Sequence, residues 1–159
     1  MAVAQSTYPS SPAIGLPGQI ANEELANIIS KTVETSGGIN FGQPAARSAT
    51  AANENSCRLM ASGAVFLGIA VLNRAVPADA DDPDNYPQYF QAALMTQGNI
   101  FVTAGGTVAP GDDVTWNTSS GKFSTTAADG TNLAIPGARF ETNGGTDDIV
   151  EISIGNRRF

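Results

Sequence analysis

An aspartate-rich segment offers the most obvious chemistry in the sequence, that of a divalent cation site. Residues 79–85 read Asp-Ala-Asp-Asp-Pro-Asp-Asn, and calcium binds several carboxylate oxygens held close together. A calcium loop of the EF-hand type needs glycine at its sixth position and glutamate at its twelfth. Counted from Asp79, those positions hold Asp84 and Phe90. We therefore expect a solvated acidic loop, with no metal bound.

Two adjacent aspartate pairs could supply a general acid and a general base. They are Asp112 with Asp113, and Asp147 with Asp148. Neighbouring side chains of a strand point to opposite faces of the sheet, so neither pair converges on one substrate atom. A hydrolase in which two distant aspartates face each other across a cleft remains an alternative.

Two glycine-containing segments could bind phosphate. Residues 105–112 match neither the dinucleotide nor the Walker pattern, and no lysine follows at the required position. Residues 121–123 read Gly-Lys-Phe and lack the Ser or Thr that would hold magnesium. We interpret these glycines as turn residues, and we expect neither a cofactor nor a small-molecule substrate.

The composition excludes several classes of enzyme. Histidine is absent, which removes imidazole-based triads, proton shuttles and His-ligated zinc. Cys57 is the single cysteine, so no intramolecular disulfide can form, and a buried structural role is expected. Trp116 is the single tryptophan, which argues against an aromatic platform for nucleic acid or sugar. The chain is predicted not to be an enzyme.

The charge and hydropathy of the chain exclude further partners. The 159 residues carry a formal net charge of −7, which repels nucleic-acid phosphates. Their longest strongly apolar stretch, Leu59 to Asn73, contains two glycines and is shorter than the roughly 20 residues of a membrane-spanning helix. We therefore expect no nucleic acid and no membrane as partner.

The first 22 residues form a low-complexity segment of small and polar residues. Its isolated apolar side chains are Tyr8, Ile14, Leu16 and Ile20. Such a segment cannot build a core, so we predict an extended N-terminal arm over residues 1–22 that is ordered by a partner surface. A flexible terminus that no partner orders is the alternative. No charged or long apolar run is present, so no secretion signal is expected.

The first half of the remaining chain gives mixed signals. Residues 22–36 fit either a helix or a strand. Ile39–Ala46 is a predicted strand, and Phe66–Leu72 is a predicted strand buried on both sides or crossing a barrel core. Asp79–Tyr89 is predicted to be a surface loop because of its aspartates and prolines.

The second half indicates an all-β structure. Apolar residues alternate with polar ones in short stretches such as residues 150–154, and pairs of turn-forming residues separate those stretches. Repeated period-two patterns with regular turns predict an antiparallel meander. The expected fold is mainly β, a small antiparallel β-barrel or sandwich over residues 23–159.

Several short pieces in a fixed order resemble the structural cement, or capsid decoration, proteins of tailed bacteriophages. They are Gly-Ile-Asn-Phe-Gly-Gln-Pro-Ala at 38–45, Phe-Leu-Gly-Ile-Ala at 66–70, Gly-Asn-Ile-Phe-Val at 98–102, Gly-Asp-Asp-Val at 111–114, Gly-Lys-Phe at 121–123, Ile-Pro-Gly-Ala-Arg-Phe at 135–140 and Val-Glu-Ile at 150–152. Each piece alone is weak evidence for this family, whereas their succession from about Pro17 to Ile154 is moderately specific for it. The resemblance favours a strand for residues 22–36.

The resemblance implies a small β-barrel protein that is commonly a homotrimer. It also implies that the protein is made in the host cytoplasm and lies on the outer surface of an icosahedral virion. Its implied partners are the major capsid protein and further copies of itself. Few charges suit a broad contact surface, because interface centres are depleted of charged residues. The candidate contact residues are Tyr8, Ile14, Leu16, Ile20, Phe41, Asp84, Tyr86, Tyr89, Arg157 and Arg158.

A receptor- or carbohydrate-binding β module of a virion is the other alternative. Such a module needs exposed aromatic rings near acidic groups. Tyr86, Tyr89 and Asp84 are the one group in the sequence that could supply them.

Overall fold

A computed structural model describes residues 14–76, 82 and 84–155 of the chain. Eleven β-strands follow one another along these residues, and no helix lies among them. The strands are β1 (Ile20–Val33), β2 (Ile39–Asn40), β3 (Pro44–Arg47), β4 (Ser56–Leu59), β5 (Phe66–Ala70), β6 (Asn85–Tyr86), β7 (Gln91–Thr103), β8 (Asp113–Asn117), β9 (Phe123–Ser124), β10 (Asn132–Phe140) and β11 (Ile149–Ile154). The predicted mainly β fold is confirmed.

Five strands close into a ring. Their order is β1, β4, β3, β5 and β7, and β7 pairs back to β1. The β1–β4 pairing is parallel, through Thr32 with Ser56 and Val33 with Cys57, while the other pairings in the ring are antiparallel. The ring agrees with the predicted small barrel or sandwich, but the sheet is mixed and not purely antiparallel.

Strand β7 belongs to two parts of the sheet. β1 pairs with it from Gln91 to Ile100, whereas β5 pairs with its first half and β11 pairs with its second half over Gly98 to Thr103. Gly98 lies between the halves at φ 131°, and a Cβ there would approach Met95 Sδ to 3.1 Å and Ala26 Cα to 3.2 Å. Glycine is therefore required where β1 and β7 change register.

The strands beyond β7 do not form the predicted meander. The order continues as β11, β10, β8 and β9, so β7 pairs with the last strand of the chain and not with β8. Local turns still join β8 to β9 and β10 to β11. Turn residues predict that a hairpin forms, but they do not tell which non-local strand lies beside it.

Two hydrophobic cores lie on opposite faces of the central strands. Successive residues alternate between them: Ala70 and Leu94 pack in one core, whereas Ile69 and Met95 pack in the other. This alternation follows from the period of a strand with apolar residues on both faces. The prediction that Phe66–Leu72 is a strand buried on both sides is confirmed in part by β5, which ends at Ala70 and is buried from Gly68 onward, while Phe66 and Leu67 are half-buried.

The structure confirms one and corrects two of the other predictions for the first half of the chain. Residues 22–36 mostly form strand β1, as the resemblance favoured. The predicted strand Ile39–Ala46 is wrong, because a turn with Gly42 at φ 80° divides it into β2 and β3. The predicted loop over residues 79–89 is wrong at residues 85–86, which form β6 and pair with β2. Residues 77–81 and 83 lie outside the described residues.

Candidate functional site

A groove at the start of the described chain brings together three of the predicted contact residues. Leu16, Phe41 and Asp84 line two adjoining cavities of about 270 and 220 Å³, and Leu72 lines both with them. Leu16 is 43% exposed. We name this feature the Leu16 groove. It offers apolar surface beside one acidic and one basic side chain, Asp84 and Arg74, the kind of surface that a protein partner can cover.

The chain before β1 is held against the sheet by backbone hydrogen bonds. The amide of Gly18 donates to Phe101 O at 2.8 Å, and Gly18 O accepts from the amide of Leu72 at 2.7 Å. Gly18 has φ 80°, and a Cβ there would lie 2.8 Å from Ala70 O. This close approach fixes the position of Leu16.

The predicted arm is therefore partly built into the fold. Strand β1 begins at Ile20, inside the segment predicted to be arm, and Ile20 packs against one of the two cores. Ile14 is 59% exposed and lines a separate cavity of about 390 Å³ with Asp147 and Asp148. Tyr8, like Arg157 and Arg158 at the other end, lies outside the described residues.

Tyr86 is wrongly placed among the surface candidates. Its side chain is fully buried, and its hydroxyl donates to Val71 O at 2.7 Å. The Phe41 ring stands edge-on to the Tyr86 ring, with centroids 5.1 Å apart, and only an edge of Phe41 reaches the groove because that residue is 7% exposed. Burial raises the pKa of Tyr86 above its ordinary value of 10.0.

The aromatic and acidic group expected of a carbohydrate-binding module is dispersed. Tyr86 is buried, Asp84 lines the Leu16 groove, and Tyr89 lines a different cavity. Tyr89 is 77% exposed. The three side chains therefore do not form one sugar-binding surface.

The cavity at Tyr89 is a polar cleft of about 390 Å³. Its walls include Thr32 and Glu34 from β1 and the segment after it, Asn53 from the turn before β4, and Gln88 next to Tyr89. We name it the Tyr89 cleft. Sequence reasoning missed Glu34, because no motif links it to a tyrosine 55 positions away. The β1–β7 pairing and the backbone hydrogen bonds that continue it beyond Gln91 bring the two residues to one cleft.

The aspartate pairs have structural partners. Asp113 forms an ion pair with Arg139, and Asp147 forms one with Lys122. Asp112 Oδ2 accepts from the amide of Ala109 at 3.0 Å, and Asp148 Oδ2 accepts from that of Gly145 at 2.7 Å. Within the described ranges, no group of three or more acidic or thiol side chains is arranged to hold a metal ion.

Cys57 is a buried thiol in the core beside Val33, as expected. Burial, assisted by the negative charge of Glu34, raises its pKa from 9.0 to about 11. The reactive thiolate is therefore scarce at neutral pH. No helix that could cross a membrane occurs among residues 14–76, 82 and 84–155.

The family model described as Structural cement protein (E217 gp24/Pam3 gp6) matches residues 4–155. The chain belongs to this family. The cement protein is thus a bacteriophage structural protein, as the order of its sequence pieces suggested.

Solved structures contain the same fold. A chain from the structure entitled "The capsid of Myoviridae Phage XM1" superposes on the cement protein with a TM-score of 0.75 at 14% sequence identity, covering 97% of this chain and 98% of that chain. At this identity the likeness establishes the fold alone. No curated protein sequence matches the chain.

Proposed function

We propose that the cement protein binds the outside of an icosahedral phage capsid and bridges neighbouring major capsid protein subunits without catalysing a reaction. The observation that carries the proposal is the family match over residues 4–155. The proposed location is the outer surface of the virion, where a net charge of −7 is kept away from the packaged nucleic acid.

The proposed contacts are the Leu16 groove and the exposed side chains around it. Apolar surface contributes about 25 cal/mol per Å² when it is removed from water, and the groove provides it through Leu16, Phe41 and Leu72. Residues 1–13 are a second proposed contact, through Tyr8. Asp84 and Arg74 both line the groove, so the partner can meet it with one basic and one acidic group.

The proposed state is a homotrimer, in which several weak contacts act together. Release of a multivalent protein requires all its contacts to break at once, so affinity rises without any single strong contact. Light scattering of the free protein tests this state directly, since the trimer has three times the chain mass of 16.3 kDa.

The decisive experiment mixes the purified protein with phage shells that lack it. We expect the protein to co-sediment with the shells and to raise their melting temperature. Absence of both effects would show that the protein does not stabilise the shell, whatever its family.

A further inference from the structure

Tyr89 occupies a backbone position that normally holds glycine. Its amide donates to Val33 O at 2.8 Å, while the amide of Val33 donates to Phe90 O at 2.9 Å. Two residues thus face one across the pair of segments, which is a β-bulge, and the first has φ 66°. In bulges of this form the left-handed residue is usually glycine, because a side chain is strained there.

The Tyr89 side chain gains little stabilising burial within its own chain. The residue is 77% exposed, so burial within the protein does not offset the backbone strain. An exposed aromatic ring held in a strained conformation is typical of residues kept for an intermolecular contact. The strain and the exposure therefore point to a partner at this position.

Glu34 supplies a fixed negative charge to the same cleft. Ser48 Oγ donates to Glu34 Oε1 at 3.0 Å, and Asn53 Nδ2 donates to the same oxygen at 2.8 Å. No lysine or arginine in the described parts of the chain lies within ion-pair distance of it. Lys31, on β1, donates instead to Glu54 O at 2.9 Å. The carboxylate is therefore oriented but carries no internal counter-ion.

We propose that the Tyr89 cleft receives an arginine or lysine side chain of the shell protein, a contact that rests on the proposed function. A cation is attracted to the face of an aromatic ring and to a carboxylate held beside it. Tyr89 and Glu34 line the same cleft, so one cationic group bound there can meet both the ring and the carboxylate. The net charge of −7 favours such a basic partner at longer range.

The test measures the affinity of four variants for shells that lack the protein, at low and at physiological salt. Tyr89→Gly is expected to bind about tenfold more weakly or worse, as a hot-spot aromatic does, and to melt no lower than the unmodified protein. Glu34→Gln can keep both hydrogen bonds to Oε1 but loses the charge, so its affinity is expected to fall about threefold or more and to depend less on salt. Tyr89→Phe keeps the ring and is expected to bind normally.

Glu23→Gln is the matched charge control, because Glu23 is an exposed carboxylate on β1 outside the cleft. Equal binding by Tyr89→Gly and the unmodified protein would overturn the proposal, as would a Glu34→Gln effect no larger than that of Glu23→Gln. A loss confined to Tyr89→Gly would indicate an aromatic contact without a cation, which also contradicts it. If Tyr89→Gly melts at a lower temperature than the unmodified protein, its weaker binding is not used. The affinity of Glu34→Gln for shells, and the change of that affinity with salt, then test the proposal. If the unmodified protein does not bind shells, the proposed function fails and this contact fails with it.

Discussion

The hydroxyl of Tyr86 donates to the backbone carbonyl of Val71 at 2.7 Å inside the protein. This bond ties the short strand β6 to the residue that follows β5. The ring also packs edge-on against Phe41. One buried side chain thus anchors the segment that precedes the Tyr89 cleft.

Tyr86→Phe is expected to lower the free energy of unfolding by about 1–2 kcal/mol, because it leaves a buried carbonyl without its donor while keeping the ring contact. Urea denaturation at neutral pH measures the change. Tyr89→Phe removes the same hydroxyl from an exposed ring and serves as the control, with an expected change near zero. Equal effects of the two substitutions would contradict the assigned role of the Tyr86 hydroxyl.

Alkaline pH is expected to destabilise the protein through Cys57. Its pKa in the folded state is about 11, raised from 9.0 by burial and the charge of Glu34. Above pH 9 the unfolded chain loses the thiol proton first, so stability falls as the pH rises from 9 towards 11, by up to about 1.4 kcal/mol per unit of pH. Tyr86, whose pKa is also raised, adds to the loss above pH 10 in the same direction.

Urea titrations at pH values from 8 to the onset of alkaline unfolding measure this dependence. Cys57→Ala removes the thiol, so its stability is expected to be lower at neutral pH because of the lost packing but flatter between pH 9 and pH 10. A slope unchanged by Cys57→Ala would show that another group causes the alkaline loss.

Gly18→Ala is expected to destabilise the protein by about 2–4 kcal/mol. The new Cβ would lie 2.8 Å from both Ala70 O and Gly42 N, and φ is 80°. Gly63→Ala is the control, since Gly63 has φ 73° with nothing within 4 Å of the added Cβ; it is expected to cost about 1 kcal/mol from backbone strain alone. Thermal melts of the two variants separate the steric clash from the strain.

Two N-terminal truncations are expected to behave differently. Removal of residues 1–13 leaves the hydrogen bonds of Gly18 with Phe101 and Leu72 in place, so the melting temperature should change little. Removal of residues 1–22 deletes those bonds and the start of β1, which should cost several kcal/mol at about 0.5–1.5 kcal/mol per hydrogen bond plus lost packing. Calorimetry of both forms provides the measurement. Equal melting temperatures would mean that the segment before β1 contributes nothing to stability.

Leu16→Ser is expected to weaken attachment to shells while the protein stays folded. Leu16 is 43% exposed and lines the groove with the rest of its surface covered, so a modest loss of stability, about 1 kcal/mol, is also expected. Val65→Ser is the matched control, because Val65 is 63% exposed and does not line the groove. Co-sedimentation with shells compares them, and equal retention would remove the groove from the proposed contact surface.

The sequence alone predicted the β class, a strand at β5 that contributes to both cores, and the burial of Cys57. These properties depend on local patterns: period-two alternation, turn residues and apolar runs follow from the geometry of a strand itself. The candidate contacts were predicted less well, because Leu16, Phe41 and Asp84 proved to share one groove whereas Tyr86 proved to be buried.

The tertiary structure decided what these local patterns could not. Tyr86 and Tyr89 are three residues apart in the same acidic segment, yet one is in the core and the other is 77% exposed. Their exposure differs because Tyr86 lies in β6, which pairs with β2, whereas Tyr89 lies in a bulge against Val33. Pairing partners far apart in sequence are chosen by closure of the ring and burial of both cores, which depend on all the strands together. The same closure brings Glu34 and Tyr89 to one cleft.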